Sequence, residues 1–216
     1  MNPTTRQDSL SDAVTKAVLT LQRGYLDNRS DSVRELAVLR RGTGGGAMDA
    51  WELIYRYIPD ELTGSGDEIT TTEMSFATSL GLFALHQQGR SLPMFRSQFG
   101  LGTAVRRLIL RQPSAEDATM RRFKTLGSAS TWNGRVHHLR GVISQLRSEQ
   151  VPLDYGQLAR DLVLLQGRAT ADAVRQRWAR DVHRSQSADP HGLADPTLDS
   201  TDSLTTSNIN KQGEDQ

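Results

Sequence analysis

The chain has 216 residues, of which 36% are hydrophobic, and it contains no cysteine. This length allows one domain or two small ones with a real core, and the missing cysteines exclude disulfides, thiolate metal sites and cysteine nucleophiles. No apolar run approaches the ~20 residues of a membrane-spanning helix, and the N-terminus lacks the apolar segment of a signal peptide. We therefore expect a soluble, cytoplasmic protein with no membrane partner.

The net charge of +1 conceals an asymmetry along the chain. Residues 90–147 carry 11 basic and 2 acidic side chains, whereas residues 1–89 carry 8 and 12, and residues 185–216 carry 1 and 6. Arginine accounts for 23 of the 26 basic residues, and its planar guanidinium pairs with phosphate through two parallel hydrogen bonds. Genome base composition can explain the arginine-to-lysine ratio but not the clustering. The segment 90–147 therefore has the composition of an anion-binding surface.

The first half of the chain has the 3.6-residue period of helices. The first apolar stripe consists of Val14, Ala17, Val18, Leu21 and Tyr25. Ser9 or Ser11 is the expected cap of this helix, and Asp31 is the expected cap of the next one. A further stripe consists of Trp51, Ile54, Tyr55 and Ile58, and Pro59 ends it.

The segment EMSFATSLGLFALHQQ is apolar on most sides of a helix. Thr70 and Glu73 before and within it have the spacing of a capping box, and Gly89 is the expected stop. The sequence therefore predicts a helix between these signals that forms the buried centre of the first half.

The second half continues the helical pattern. Its stripes are Ala104, Val105, Leu108 and Ile109; Met120, Phe123 and Leu126; Trp132, Val136, Leu139, Ile143 and Leu146; Leu158, Leu162 and Leu165; and Val174, Trp178 and Val182. Ser114 and Asp154 are expected helix caps. No stretch alternates convincingly with a period of two, so we expect no β-sheet.

These patterns predict an all-α protein, a bundle of about eight or nine helices in two subdomains. We place the N-terminal helical subdomain at residues 1–100 and a basic helical bundle at residues 101–184. Residues 185–216 are rich in Ser, Asp, Thr and Asn and have almost no bulky apolar side chains. They cannot bury enough apolar area to offset the entropy of ordering, so we predict a disordered tail.

Gly42, Gly44 and Ala47 match the pattern G-x-G-x-x-[GA] of dinucleotide-binding loops. Such a loop follows a parallel strand and belongs to a βαβ unit, whereas the residues before it here belong to a helical pattern. The Gly-Lys-Ser/Thr of a phosphate-binding P-loop is also missing. We therefore interpret these glycines as a helix–helix connection and expect no nucleotide cofactor.

His137 and His138 are adjacent, and adjacent side chains on a helix point about 100° apart, so they cannot both face one ion. No carboxylate stands at a ligand-like spacing from them, and we expect no metal site. The chain has no local Ser-His-Asp signature, although a dispersed triad would leave none. The histidines and the glycines thus give no positive indication of an enzyme.

Two predicted helices of the basic segment carry arginines away from their apolar stripes. Arg121, Arg122 and Lys124 flank the stripe of the first helix, and Arg140 lies opposite the Trp132 stripe of the second, with Arg135 beside that stripe. On the first helix only Arg121 has an acidic residue at a spacing of four, Asp117, and the second helix has none. The charge pattern also adds Arg106 and Arg107. A merely solvated basic face is the plainer interpretation, but the charge density favours a surface for phosphate backbones.

Six segments along residues 10 to 184 carry a resemblance to a known family. They are LAVLRRG with a following Trp51, SLGLFALHQQG, GLGTAVRRLI, AEDATMRRFKTL, HHLRGVISQLRSEQVPLDYGQLARDL and VRQRWARDVHR. Each is a weak signal alone, whereas together, and especially through LRSEQVPLDYGQLARDL, they are specific. The chain resembles the CasB family, the small subunit of the type I-E CRISPR Cascade complex.

The resemblance implies an all-helical, non-catalytic protein that stabilises the R-loop through contacts with DNA strands. It implies two copies along the inner belly of Cascade, against the backbone subunits that carry crRNA, in a complex that also holds the large subunit. The family's basic surface carries over onto Arg40, Arg41, Arg121, Arg122, Lys124 and Arg140, whereas Arg106, Arg107 and Arg135 come from the charge pattern alone. Residues 185–216 extend beyond the family core.

Under this interpretation the Arg40–Arg41 pair is functional, and the glycines after it are a hinge. Most of the 12 aromatic residues sit in apolar stripes, so we expect phosphate contacts to dominate over base stacking. Two alternatives stay open: a small helical nucleic-acid enzyme, and a general helical adaptor whose basic face meets an acidic protein. The enzyme would need a metal cluster or a dispersed dyad, and the basic segment has no acidic pair to hold Mg²⁺.

Overall fold

The structure, a computed structural model, describes residues 3–42 and 48–184. Its α-helices are α1 (Pro3–Leu26), α2 (Ser30–Gly42), α3 (Met48–Tyr57), α4 (Thr71–Gln87), α5 (Leu101–Arg111), α6 (Glu116–Ser128), α7 (Trp132–Ser148), α8 (Tyr155–Leu164) and α9 (Arg168–His183). The predicted all-α fold is confirmed: the described residues form these nine helices and no strand, and one parallel bridge joins Phe95 to Leu153. The predicted disordered tail and the glycines of residues 43–47 lie outside the described residues.

Helix α4 is the centre of the bundle, as its apolar sequence predicts. It packs against α1, α2, α7 and α8, and Phe76, Leu80 and Phe83 on it are fully buried. A helix that is apolar on most sides needs partners on most sides, and the four neighbours supply them.

Local signals set several helix ends where they were predicted. At the start of α4, the backbone N–H of Glu73 donates to the Thr70 hydroxyl (3.2 Å), and the backbone N–H of Thr70 donates to the Glu73 carboxylate (2.8 Å). Gly89 follows the helix with a φ of +67°, a conformation that suits glycine. Asp154 caps α8 by accepting from the backbone N–H of Gln157 at 2.9 Å.

Three other predicted caps were wrong. Helix α1 begins at Pro3, so Ser9 and Ser11 lie inside it, and the buried Leu10 shows that this early segment belongs to the core. Asp31 lies within the first turn of α2 and pairs with Arg34 at 2.6 Å. Before α6 a 3₁₀ turn at Pro113–Ala115 takes the place of a Ser114 cap.

One hydrophobic core runs through helices from both halves of the chain. Met1–His183 form one compact unit, in which α1 packs against α8, α4 against α7 and α8, and α5 against α9. The division into subdomains at residues 1–100 and 101–184 stays a prediction. None of the described helices is both long and apolar enough to cross a bilayer.

Buried polar contacts connect the helices of this core. The Asp161 carboxylate on α8 accepts from the Trp178 indole N–H on α9 at 2.7 Å and pairs with Arg177. Burial raises the pKa of Asp161, and the Arg177 guanidinium opposes that shift. Between α4 and α8, His86 Nδ1 lies 2.8 Å from the Tyr155 hydroxyl. Because a buried polar group without a partner is costly, these pairs favour one arrangement of the helices.

Candidate nucleic-acid interface

Helix α6 presents three cations to solvent. Thr119, Phe123 and Leu126 face the core, which leaves Arg121, Arg122 and Lys124 exposed. The acidic residues of this helix, Glu116 and Asp117, lie in its first turn. The three cations therefore form the exposed basic surface that the sequence predicts for this helix.

A hollow of about 290 Å³ is lined by residues of α3, α4 and α7 and by Gly42 at the end of α2. Helix α7 contributes Trp132, Asn133, His137 and Arg140 to its lining, and α3 contributes Trp51. We call it the tryptophan hollow. Arg140 is half-buried there. A cation beside an open, largely apolar hollow can bind an anionic group whose uncharged part enters the hollow.

The Arg40–Arg41 pair lies in the last turn of α2, where Arg40 is half-buried and Arg41 is exposed. The next residue, Gly42, also lines the tryptophan hollow. A side chain at position 42 would collide with the Cβ of Ala50 in α3, so glycine permits the close approach of the two helices. This packing brings the end of α2, distant in sequence, to the same hollow as Arg140.

A second hollow, of about 400 Å³, lies between α6 and α7. Arg122, His138 and Ser144 are among its lining residues, and His137 lines both this hollow and the tryptophan hollow. Arg122 of α6 and Arg140 of α7 therefore line two hollows that share His137. The structure thus brings together candidates from α2, α6 and α7.

Three arginines that the charge pattern assigned to the basic surface are buried, so their surface placement was wrong. Arg106, Arg107 and Arg135 are only 8%, 6% and 3% exposed. Arg135 donates to the carbonyls of Ala129 (3.1 Å) and Leu165 (3.4 Å), and burial lowers the pKa of its guanidinium. The Arg107 guanidinium lies 5.5 Å from the centre of the Phe99 ring. The long aliphatic stem of arginine lets it pack in this way, which charge counting overlooks.

The two histidines of α7 are neighbours at the surface, where His137 is exposed and His138 is half-buried. The centres of the His137 and His138 rings are 5.3 Å apart, at an interplanar angle of 75°. Within residues 3–42 and 48–184, no group of three or more His, Asp or Glu residues could hold a metal ion. Both imidazoles line the α6–α7 hollow, and His137 also lines the tryptophan hollow.

The acidic side chains gather elsewhere on the surface. Another hollow of about 400 Å³ is lined by Asp60, Asp67, Glu68 and Glu73. Among the described residues that line the tryptophan hollow and the α6–α7 hollow, none is acidic. The described lining of these two hollows thus differs from that of the acidic hollow near Asp60, which favours an anionic ligand at the α6–α7 side.

The sequence analysis missed the role of two tryptophans as lining residues. Trp51 and Trp132 were assigned to core stripes, but both are half-buried at the tryptophan hollow. By contrast, Trp178 is 2% exposed and belongs to the core. The sequence contains one indication that Trp132 is not fully buried: the polar Asn133 directly follows it at the start of the helix.

The comparisons with known proteins show which family the chain belongs to. The family described as CRISPR-associated protein Cse2 matches residues 35–183. The crystal structure of CasB from Thermobifida fusca matches at a TM-score of 0.70 and 33% identity, covering 82% of this chain and 98% of that chain. The chain belongs to the Cse2/CasB family. A comparison with curated proteins found no match.

Family membership makes this Cse2/CasB chain a subunit of a CRISPR Cascade complex. The resemblance inferred from the sequence is confirmed. The family match includes α3 to α9 and most of α2, so all the candidate cations lie within it. Helix α1 precedes the matched residues but packs against α8, which makes it part of the same bundle.

Proposed function

We propose that this Cse2/CasB subunit binds DNA without reading its sequence and stabilises the R-loop during crRNA-guided recognition of a target. The observation that carries the proposal is the convergence of α2, α6 and α7 on two adjoining hollows that share His137. Arg140 lines the first hollow and Arg122 the second, and Arg41, Arg121 and Lys124 are exposed on the same helices α2 and α6. Cations in this arrangement can follow a phosphate backbone over several nucleotides.

The proposed role requires only modest binding energy. R-loop formation exchanges a DNA duplex for an RNA–DNA heteroduplex at nearly balanced free energy. A few phosphate contacts to a separated strand can therefore shift the equilibrium towards the open state. Because phosphate contacts carry no base information, one surface can serve every guide sequence.

The partners proposed for this chain follow from the same role. They are the backbone and large subunits of Cascade with their crRNA, single-stranded or R-loop DNA, and a second copy of the chain. The role is non-catalytic, because binding strands is sufficient for it. It acts on DNA inside the cell, so a cytoplasmic location goes with it.

The first test is binding of single-stranded DNA by the isolated full chain at several salt concentrations. We expect log K to fall with log salt by about 0.7 per neutralised phosphate. Changing Arg121, Arg122 and Lys124 together to Glu should weaken binding and reduce this slope. A flat salt response, or preference for one defined sequence, would contradict the proposal and favour the adaptor interpretation.

The second test places the same triple variant in Cascade at equal stoichiometry and follows target opening by permanganate reactivity. We expect weaker opening, most of all at high salt and on relaxed DNA, since negative supercoiling already favours unwinding. The matched control changes Lys16, Arg23 and Arg29 to Glu, because these three side chains are also exposed but lie on and after α1. Opening that is impaired only in the control would put the DNA path elsewhere on the protein.

A further inference from the structure

The tryptophan hollow has the composition of a site for one planar group. Its apolar part includes Trp51, Trp132, Met74 and Ala77, and its polar part lies on α7 with Asn133, His137 and Arg140. Its volume of about 290 Å³ lies just below the ~300–1,000 Å³ of sites for drug-sized ligands. A site of this size suits a single heterocycle better than a larger molecule.

The two tryptophans are placed where a ligand can reach them. Both are half-buried, whereas the third tryptophan, Trp178, is 2% exposed. The Trp51 ring lies 5.9 Å from the ring of Tyr55, which is 48% exposed. Indole rings left open at a hollow are good stacking partners for other aromatic rings.

The charges around the hollow favour an anion. Arg140 and His137 are the titratable residues that line it among the described residues, and Gly42 in the lining directly follows the exposed Arg41. An occupant that is planar and aromatic in one part and anionic in another satisfies both features. A nucleotide of a single strand, with its base and its phosphate, has this chemistry.

We propose that the tryptophan hollow receives one unpaired base of single-stranded DNA, which stacks on Trp51 or Trp132 while Arg140 contacts the adjoining phosphate. This inference rests on the proposed function and adds base capture to a surface expected to bind phosphates. Stacking is sequence-tolerant because every base has a π-face, so guide-independent binding is preserved. A base held in the hollow cannot re-pair with its complementary strand, which opposes closure of the R-loop.

The test compares two probes with the same number of phosphates, using the full chain. One is a single-stranded DNA of mixed sequence, and the other is an oligonucleotide of equal length made of abasic sites. We expect the isolated protein to bind the intact strand about tenfold more tightly, the contribution of roughly one stacked base. Trp51 and Trp132 fluorescence should be quenched by the intact strand only, while the buried Trp178 supplies a constant background.

Two variants localise the effect to the hollow. Trp51→Leu removes a stacking surface, and Ala77→Leu fills the hollow without removing any aromatic ring. Both should lower affinity for the intact strand towards that for the abasic strand and leave abasic binding unchanged. Ala179→Leu, at an exposed position on α9, is the matched control and should behave as wild type. Circular dichroism of each variant checks that it is folded.

The outcomes separate this inference from the proposed function. Equal, salt-dependent binding of both probes by the wild type would overturn base capture and leave phosphate binding intact. A preference for the intact strand that survives both Trp51→Leu and Ala77→Leu would also overturn it, because the bases would then stack elsewhere. If the wild type binds neither probe, the proposed function and this inference are overturned together.

Discussion

At the scale of single residues, arginines of one helix serve different purposes. Arg135 and Arg140 both lie on α7, about 140° apart around the helix. Arg135 points into the bundle and donates to two main-chain carbonyls, whereas Arg140 lines the tryptophan hollow. Both residues are arginines, so residue type does not distinguish them. The packing of α7 decides which one can contact a ligand.

His86 gives the fold a dependence on pH. It is fully buried beside Tyr155, and burial lowers its pKa from the ordinary 6.5 to about 3. Between these values the unfolded chain binds a proton that the folded chain does not bind. The contribution of His86 to stability is therefore complete above about pH 6.5 and decreases as the pH falls towards 3.

We expect the wild type to lose about 2 kcal/mol of unfolding free energy through His86 between pH 7 and pH 5. His86→Gln should lose correspondingly less over the same interval, since glutamine does not titrate. Urea unfolding at the two pH values measures the difference. His137→Gln, at an exposed position, is the control and should keep the wild-type dependence. The same pH dependence in His86→Gln would show that other groups cause it.

At the scale of elements, the start of α4 shows how a short motif fixes a central helix. The Thr70 hydroxyl accepts from the Glu73 backbone N–H, and the Glu73 carboxylate also accepts from the Tyr55 hydroxyl at 3.1 Å. Burial alone would raise the pKa of Glu73, but the hydrogen bonds from Thr70 outweigh it and hold the pKa below its ordinary value. The motif thereby connects the start of α4 to α3.

Thr70→Ala should lower the free energy of unfolding by about 1 kcal/mol, because it removes the hydroxyl that caps α4. The loss should lower the stability of the whole bundle, since α4 packs against four other helices. Chemical denaturation measures it. Thr70→Ser keeps the hydroxyl and should stay close to wild type. If Ser destabilises as much as Ala, the threonine methyl group and not the cap is responsible.

At the scale of the whole molecule, the distribution of charge on the surface depends on which sides of the helices are buried in the core. The acidic hollow near Asp60 and the basic surface of α6 and α7 belong to one bundle, and residues 1–184 carry 25 basic and 19 acidic side chains. The remaining acidic excess is in residues 185–216, outside the described residues, with 6 acidic and 1 basic side chains. Such a segment can compete with DNA for a basic surface.

Deleting residues 186–216 should leave the melting temperature within a few degrees of wild type, because the segment lacks apolar periodicity. The deletion should tighten the binding of single-stranded DNA at low salt only. Salt weakens the attraction between the acidic segment and the basic surface, because charges are screened beyond about 10 Å at ~0.1 M ionic strength. Thermal unfolding and binding at two salt concentrations measure both effects. A larger fall in melting temperature would mean that the segment docks on the bundle, and tightening that persists at high salt would exclude competition by charge.

The sequence by itself determined the helices and the family. The period of the apolar stripes, the Thr70–Glu73 box, the Asp154 cap and the Gly89 stop depend on contacts within a few residues, so they can be read from the chain. The composite of six segments identified the family, which the comparisons confirm. Ser9 and Ser114 were misjudged as caps because serine is also accepted within helices and turns, where tertiary packing decides the boundary.

Only the tertiary structure decided which of these residues can form a site. Burial depends on neighbours that are remote in sequence, and it removed Arg106, Arg107 and Arg135 from the candidate interface while leaving Arg121 exposed. The approach of α2 and α3 at Gly42, and the packing of α4 against α7, brought Trp132 and Arg140 to one hollow. A helical stripe shows which side of a helix is apolar, but not which helix covers it or where that cover ends.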